Sequence, residues 1–430
     1  MSRIESDDAI LIAGATIRIR NRDSDYPFRQ DSHFHYLCGF PEPDAWLLLL
    51  PGREAGESVL FCQPRDPAAE IWTGRRIGAR RAVSDYGVDE ALTLESRDEK
   101  LLELLDGRQT LYLLMSDERA MALAGDVRGR LEAQRGRRGP KAFADIAPFL
   151  AAQRLIKSQA ELALMAHAAH ISACAHRRAM ASARPGMYEY QLQGDIEHEF
   201  LQHGARSPAY ATIVGGGVNA CVLHYTENEA SLASGDLVLI DAGAEYGLYA
   251  GDITRTLPVS GRFSEPQRQL YEVVLSAQQR AIRRVKPGVT IRAIHEGVVA
   301  DLSAGLVMLG LLDGPVERVI ENGEYRRFYP HGTSHWLGLD VHDAGDMKDD
   351  QGRSRALEPG MVLTVEPGLY MPDDPDIPTQ WQGIGIRIED DVAITDDGAW
   401  VLTEAVPKTP AAIEALMQTT AGRHAGDEVS

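Results

Sequence analysis

Four carboxylates and one imidazole occupy positions where a folded chain would not leave them unpartnered. Asp241 closes the apolar run Leu237–Ile240, Asp252 flanks the next such run, Glu366 follows Met361–Val365, and Glu389 sits in GIRIEDD. An ionised carboxylate in a low-dielectric interior is expelled or neutralised unless positive charge pairs with it. Arg255 and Arg387 are nearby, but two guanidinium groups cannot serve four acids. A metal can. His335, in HGTSHWLGLDVHDAG, adds a nitrogen, with His331 one helical turn's spacing before it and His342 after it. One imidazole with four carboxylates is a hard, oxygen-rich donor set that suits two divalent ions, Mn, Co or Zn. Structural zinc would want cysteine thiolates in a closed tetrahedral shell. Two ions about 3.5–4 Å apart deprotonate a shared water and steady a tetrahedral oxyanion, so the implied chemistry is hydrolysis.

Strands must carry those acids, and the sequence offers two similar sets of them. Ser158 to Glu161 reads as a capping box opening a helix that stops before Pro185-Gly186, and a second helix runs from about Met187 to His203. The pattern recurs from Ser264-Glu-Pro266 to Pro287-Gly288, with another helix from about Ile291. Each helix pair precedes apolar runs ending in acids: LVLIDAG with GDITRT, then VLTVEPG with GIRIEDD. Two halves that each give two acids predict one site at a pseudo-twofold interface. The first third differs. Ala9–Ala13, Trp46–Leu50, Val59–Cys62 and Leu111–Met115 read as buried strands separated by helical patterns such as DEKLLELLDG. The Gly/Arg/Pro-rich stretch from Arg135 to Lys141 is the best boundary, which predicts domains over 1–145 and 146–430.

Composition narrows the partners. Lys and Arg number 44 against 63 Asp and Glu, a net charge of −19, which disfavours nucleic-acid phosphates and anionic membranes. Four separated cysteines make no C-x-x-C pair and fit a reducing compartment. The opening residues lack a basic start and a long apolar core, so no secretory signal is read, and no stretch has the apolar length to cross a bilayer. The expectation is a cytoplasmic protein.

HGTSHWLGLDVHD, LVLIDAG with GDITRT, LTVEPG and GIRIEDD together resemble aminopeptidase P, the Xaa-Pro aminopeptidase family of the pita-bread metallopeptidases. RNRDSDYPFRQDSHFHYLCGF and IWTGRRIG extend the likeness into the N-terminal third, and the longer segments point to the bacterial type. The resemblance implies an α+β fold, with helices over a curved antiparallel sheet and a smaller α/β domain before it. It implies two divalent ions, Mn2+ before Co2+ or Zn2+, and cleavage after the residue preceding a penultimate proline. Asp241 would hold one ion, Asp252 and Glu389 would bridge, and His335 and Glu366 would complete the other, with Glu366 also accepting the water's proton. His224 would contact the reacting peptide unit and His342 would donate to the carbonyl or oxyanion. His331 and Tyr210 would line the substrate pocket, and Arg387 would hold or orient carboxylates. Trp72 matches an N-terminal tryptophan that approaches the pocket in family oligomers, which implies a homodimer or homotetramer. Tyr370 either contributes a phenol or is a core tyrosine. Prolidase, on the same ligands, and a metal-free binding relative are the alternative functions.

Other features have plainer readings. His33 and His35 form H-x-H, which places both rings on one strand face, and the plain reading is a structural role rather than a metal pair. Gly215-Gly216-Gly217 follows no nucleotide fingerprint and reads as a tight turn. The pairs Arg75-Arg76 and Arg80-Arg81 read as a solvated face or a subunit contact. A Cys221–His224 nucleophile is disfavoured beside a two-ion site.

Overall fold

The computed structural model describes residues 4–349 and 351–427. Its contacts divide the chain into two compact units, the first ending at Ala151 and the second beginning at Ala152.

In the first unit, Ala9–Ala13 is buried at every position, antiparallel to Trp46–Leu49 and parallel to Thr110–Leu113. Ser58–Cys62 and then Glu90–Thr93 extend the sheet on one side, and Ala142–Asp145 on the other. Parallel pairs need crossover connections, and helices Gly78–Tyr86 and Glu118–Glu132 lie in those links. Leu11, Leu48 and Phe61 pack on one face while Ile12, Leu47 and Leu60 pack on the other, which is why these strands read as unbroken apolar runs. The edge strands Glu90–Thr93 and Ala142–Asp145 have no such run and escape that reading. His33 and His35 do not lie on a strand. They belong to helix Ser32–Cys38, which Asp31 caps by accepting from the Phe34 N–H and Gly39 closes at φ 63°.

The second unit repeats one succession. Helices Gln159–Ser182 and Glu189–Gln202 precede the antiparallel strands Ile213–Gly216, Leu237–Asp241 and Thr254–Pro258. Helices Glu265–Arg284 and Ile291–Met308 precede Val362–Val365, Gly368–Met371, Ile384–Arg387 and Asp390–Ile394, also paired antiparallel. Capping boxes at Ser158/Glu161 and Ser264/Gln267 start the first helix of each half. The halves meet between Thr254–Pro258 and Ile384–Arg387. There Thr256 Oγ1 accepts from the Arg387 N–H and donates to the Arg387 carbonyl, each at 3.2 Å, and the Glu389 N–H donates to Thr254 O at 3.0 Å. One apolar core serves both halves, from Ile171 and Leu192 through Ile240 to Leu270, Leu363 and Ile386. The α+β class expected from the sequence is what forms. Among the described residues no helix is long and apolar enough to cross a membrane.

Candidate metal centre

Asp241 is the last residue of its strand and stands opposite Thr254, so Asp252 is not its direct cross-strand neighbour. The two acids meet because the chain folds tightly behind them. A Cβ on Gly243 would collide with the Gly251 carbonyl oxygen, so only glycine permits the approach. The Tyr210 hydroxyl then lies 2.6 Å from Oδ1 of both Asp241 and Asp252. Arg387 donates to the other oxygen of Asp241 at 2.6 Å. His335 is fixed by backbone bonding to Thr364: its N–H donates to Thr364 Oγ1 at 3.2 Å, and its carbonyl accepts from the Thr364 N–H at 3.0 Å. Its Nδ1 donates to Trp336 O at 2.9 Å, which turns Nε2 towards the acids. Nε2 lies 3.4 Å from Asp252 Oδ2 and 3.6 Å from Glu366 Oε1. Glu389 accepts from the Thr254 hydroxyl at 2.6 Å. Ligand atoms of Asp252, His335 and Glu389 all fall within 4.8 Å of one another.

Charge is what this set is short of. Burial, then repulsion from Asp252, pushes Glu389 well above the usual carboxylate range, and burial foremost also raises Asp252. Burial raises Glu366 to about 7. Burial alone would lower His335, yet the hydrogen bond and charge of Asp252, with Glu366 behind them, carry it up to about 9. Arg387 bonds to Asp241, and its charge offsets only part of the burial cost of Glu366 and Glu389. Arg255 turns elsewhere, pairing with Asp390 at 2.7 Å, where Lys408 and Gln278 also donate. The three acids of GIRIEDD therefore diverge. Glu389 faces the cavity, Asp390 joins the Arg255 cluster, and Asp391 accepts from the Asp252 N–H at 3.1 Å. Four carboxylates and an imidazole nitrogen that would give up its proton to a cation share one wall, and fit divalent cations in donor type and in charge.

The wall belongs to a cavity of about 420 Å³ that Tyr210, His224, His331, His342 and Arg387 also line. Tyr370 is buried beside it. Its oxygen accepts from Arg387 at 3.0 Å and its hydroxyl lies 2.8 Å from His331 Nε2, while His331 Nδ1 donates to Gly332 O at 2.7 Å. Burial, with the Arg387 charge, lowers His331 to about 4, so the ring is neutral and its tautomer is set by those two partners. The His342 ring packs edge-on against His335, centroids 4.4 Å apart. Trp72 is in the first unit, 87% exposed on helix Pro67–Thr73. Three contributions were not read from the sequence. Thr254 holds Glu389, and its position two residues after Asp252 on a strand was the available signal. Asp343, beside His342, is bound by buried Arg154 and Lys157 at 2.5 and 2.9 Å. Ala211, Ile213, Leu223 and Val341 give the cavity an apolar side.

Two family models match the chain: metallopeptidase family M24 over residues 163–396, and the aminopeptidase P N-terminal domain over residues 1–112. The Xaa-Pro aminopeptidase of Escherichia coli (strain K12) is 48% identical over 425 residues, covering 97% of this chain and 95% of that one. The chain belongs to the aminopeptidase P group of family M24. Solved M24 structures agree. The aminopeptidase PepP of Pseudomonas aeruginosa has a TM-score of 0.96 at 46% identity, covering 98% of this chain and 96% of that one. Zinc-substituted E. coli aminopeptidase P in complex with product has a TM-score of 0.94 at 47% identity, covering 97% and 96%. The pita-bread architecture implied by the sequence is present, and the M24 assignment makes the chain a hydrolase dependent on divalent metal ions.

Proposed function

We propose that this protein is an Xaa-Pro aminopeptidase that removes the residue preceding a penultimate proline. What supports the reading most is the convergence of Asp241, Asp252, His335, Glu366 and Glu389 on one cavity wall, in a chain 48% identical to a named Xaa-Pro aminopeptidase across 97% of its length. These five side chains would hold two divalent ions. Mn2+ is the preferred pair, and Co2+ or Zn2+ fits the same donors. When bound, such ions polarise the scissile carbonyl and acidify water at neutral pH.

The remaining work belongs to the protein. Asp241 and Asp252 are held in place by Tyr210 and Arg387 before substrate arrives. A Glu366 carboxylate oxygen takes the attacking water's proton and passes it towards the departing proline nitrogen. His342 donates to the carbonyl oxygen as charge develops there, and His224 positions the reacting peptide unit. His331, kept neutral and oriented by Tyr370, borders the substrate with Tyr210. The apolar side formed by Ala211, Ile213, Leu223 and Val341 suits the proline ring, whose tertiary amide lacks the N–H that another residue would leave unpaired. We further propose a cytoplasmic homodimer or homotetramer, in which the exposed Trp72 reaches a neighbouring chain's pocket.

Product analysis on matched peptides, with Mn2+ supplied, tests the assignment. Release of the first residue from Xaa-Pro-Xaa but not from Xaa-Ala-Xaa is the expected result. Cleavage confined to Xaa-Pro dipeptides would make the protein a prolidase, and cleavage of none would make it a binding relative.

A further inference from the structure

A second group of metal-ligating side chains lies away from the cavity, on the first helix pair of the second unit. Helix Gln159–Ser182 carries His170 and Cys174 one turn apart, with Cys174 Sγ 3.8 Å from His170 Nε2. Helix Glu189–Gln202 carries Glu199, and His203 follows at its C-cap, with His203 Nδ1 3.4 Å from Glu199 Oε1. Ligand atoms of Cys174, Glu199 and His203 all lie within 4.8 Å of one another. Tetrahedral zinc, with bonds of about 2.0–2.3 Å, sets its ligands roughly 3.3–3.8 Å apart, so small side-chain rotations close the shell. Arg178 engages the other Glu199 oxygen at 3.4 Å, leaving Oε1 towards His203. His203 Nδ1 also lies 3.0 Å from the Glu199 carbonyl, a contact the ring gives up when that nitrogen exchanges its proton for a metal ion.

We propose that Cys174, Glu199 and His203 form a second metal site that takes one soft divalent ion of the zinc class, with water in the fourth position. A thiolate with an imidazole selects soft or borderline ions, whereas the cavity's oxygen-rich set selects harder ones. The site is half-buried to exposed, so an ion reaches it from solvent. An ion bound there ties together the two helices behind the Asp241 strand. The same helix that carries Cys174 bonds that segment through Ser172 Oγ, which accepts from the Ala244 N–H at 2.9 Å, and through His176 Nε2, which donates to Ala242 O at 3.0 Å.

Cobalt reads this site without reading the cavity, because only a thiolate gives a near-ultraviolet sulfur-to-cobalt charge-transfer band and none of the five cavity ligands bears sulfur. The test is a Co2+ titration of the full-length, chelator-stripped protein. The band should account for one ion per chain besides the two the cavity takes, vanish in Cys174→Ser, and need at least about tenfold more cobalt in His203→Ala. It should persist in Asp252→Asn and bleach on addition of Zn2+, while Cys174→Ser keeps its peptidase turnover. Absence of the band at saturating cobalt, or its survival in Cys174→Ser, would overturn the proposal. Both outcomes are independent of which peptides the enzyme cleaves.

Discussion

Asp252 is gripped from three directions: Tyr210 at Oδ1, His335 beside Oδ2, and Asp391 on its backbone N–H. Such placement suits an acid shared between two ions, and amidation would remove its charge while keeping its shape. Asp252→Asn should cut turnover by more than the roughly 10–100-fold that losing a supporting partner costs, with unchanged circular dichroism. Thr254 is such a supporting partner, donating to Glu389 at 2.6 Å and accepting from Arg387 at 3.1 Å. Thr254→Val should weaken Mn2+ affinity by about 10–100-fold in a binding titration while the folded protein persists. That Asp241, Asp252, Glu366 and Glu389 gather on one cavity wall was legible because each ends or interrupts an apolar run, where a bare charge is costly. Their division of labour was not. GIRIEDD offers three consecutive acids, and only the fold shows that Arg255 and Lys408 draw Asp390 away from the cavity. Tyr210 was expected at the substrate. Its hydroxyl lies between two carboxylates, a contact that depends on the Gly243–Gly251 approach and leaves no mark in residue spacing.

Elements bring these side chains together, and two buried polar groups show how. The segment bearing His342 is anchored by Asp343, which takes hydrogen bonds from Arg154 and Lys157, all three side chains at most 2% exposed. Asp343→Asn removes the carboxylate those buried cations share. It should cost about 3–5 kcal/mol in urea unfolding and lower turnover through misplacement of His342. His176 reaches the segment after Asp241 from the opposite side, its Nε2 donating to Ala242 O while its Nδ1 is buried without a partner. Burial lowers it from 6.5 to about 4. Between those values the unfolded chain binds the extra proton, so its stabilising effect is full above about pH 6.5 and is lost as pH falls towards 4. The wild type should lose on the order of 3 kcal/mol more than His176→Gln across that interval, measured by urea unfolding at each pH. The central strands and long helices were readable from apolar runs, capping boxes and Pro-Gly stops. Glu90–Thr93 and Ala142–Asp145 were not, since edge strands need no apolar run, and the alternation at His33 and His35 was overridden by the Asp31 cap and the Gly39 stop.

At the scale of the whole molecule, the repeated helix–helix–strand succession explains why four acids distant in sequence share one wall. Each half contributes two, and the seam between Thr254–Pro258 and Ile384–Arg387 brings Glu389 beside Asp252. Cations that bind only this folded arrangement must also stabilise it, by about 2.7 kcal/mol at a hundred times their dissociation constant. On the proposed mechanism those five side chains act by holding two divalent ions. Its most direct test is turnover of an Xaa-Pro-Xaa peptide by chelator-stripped protein as Mn2+ is added in measured equivalents. Activity should start near zero, rise until two ions are bound per chain, and fail to rise in Asp252→Asn. Full activity in the stripped protein, unchanged by added Mn2+, would contradict the account.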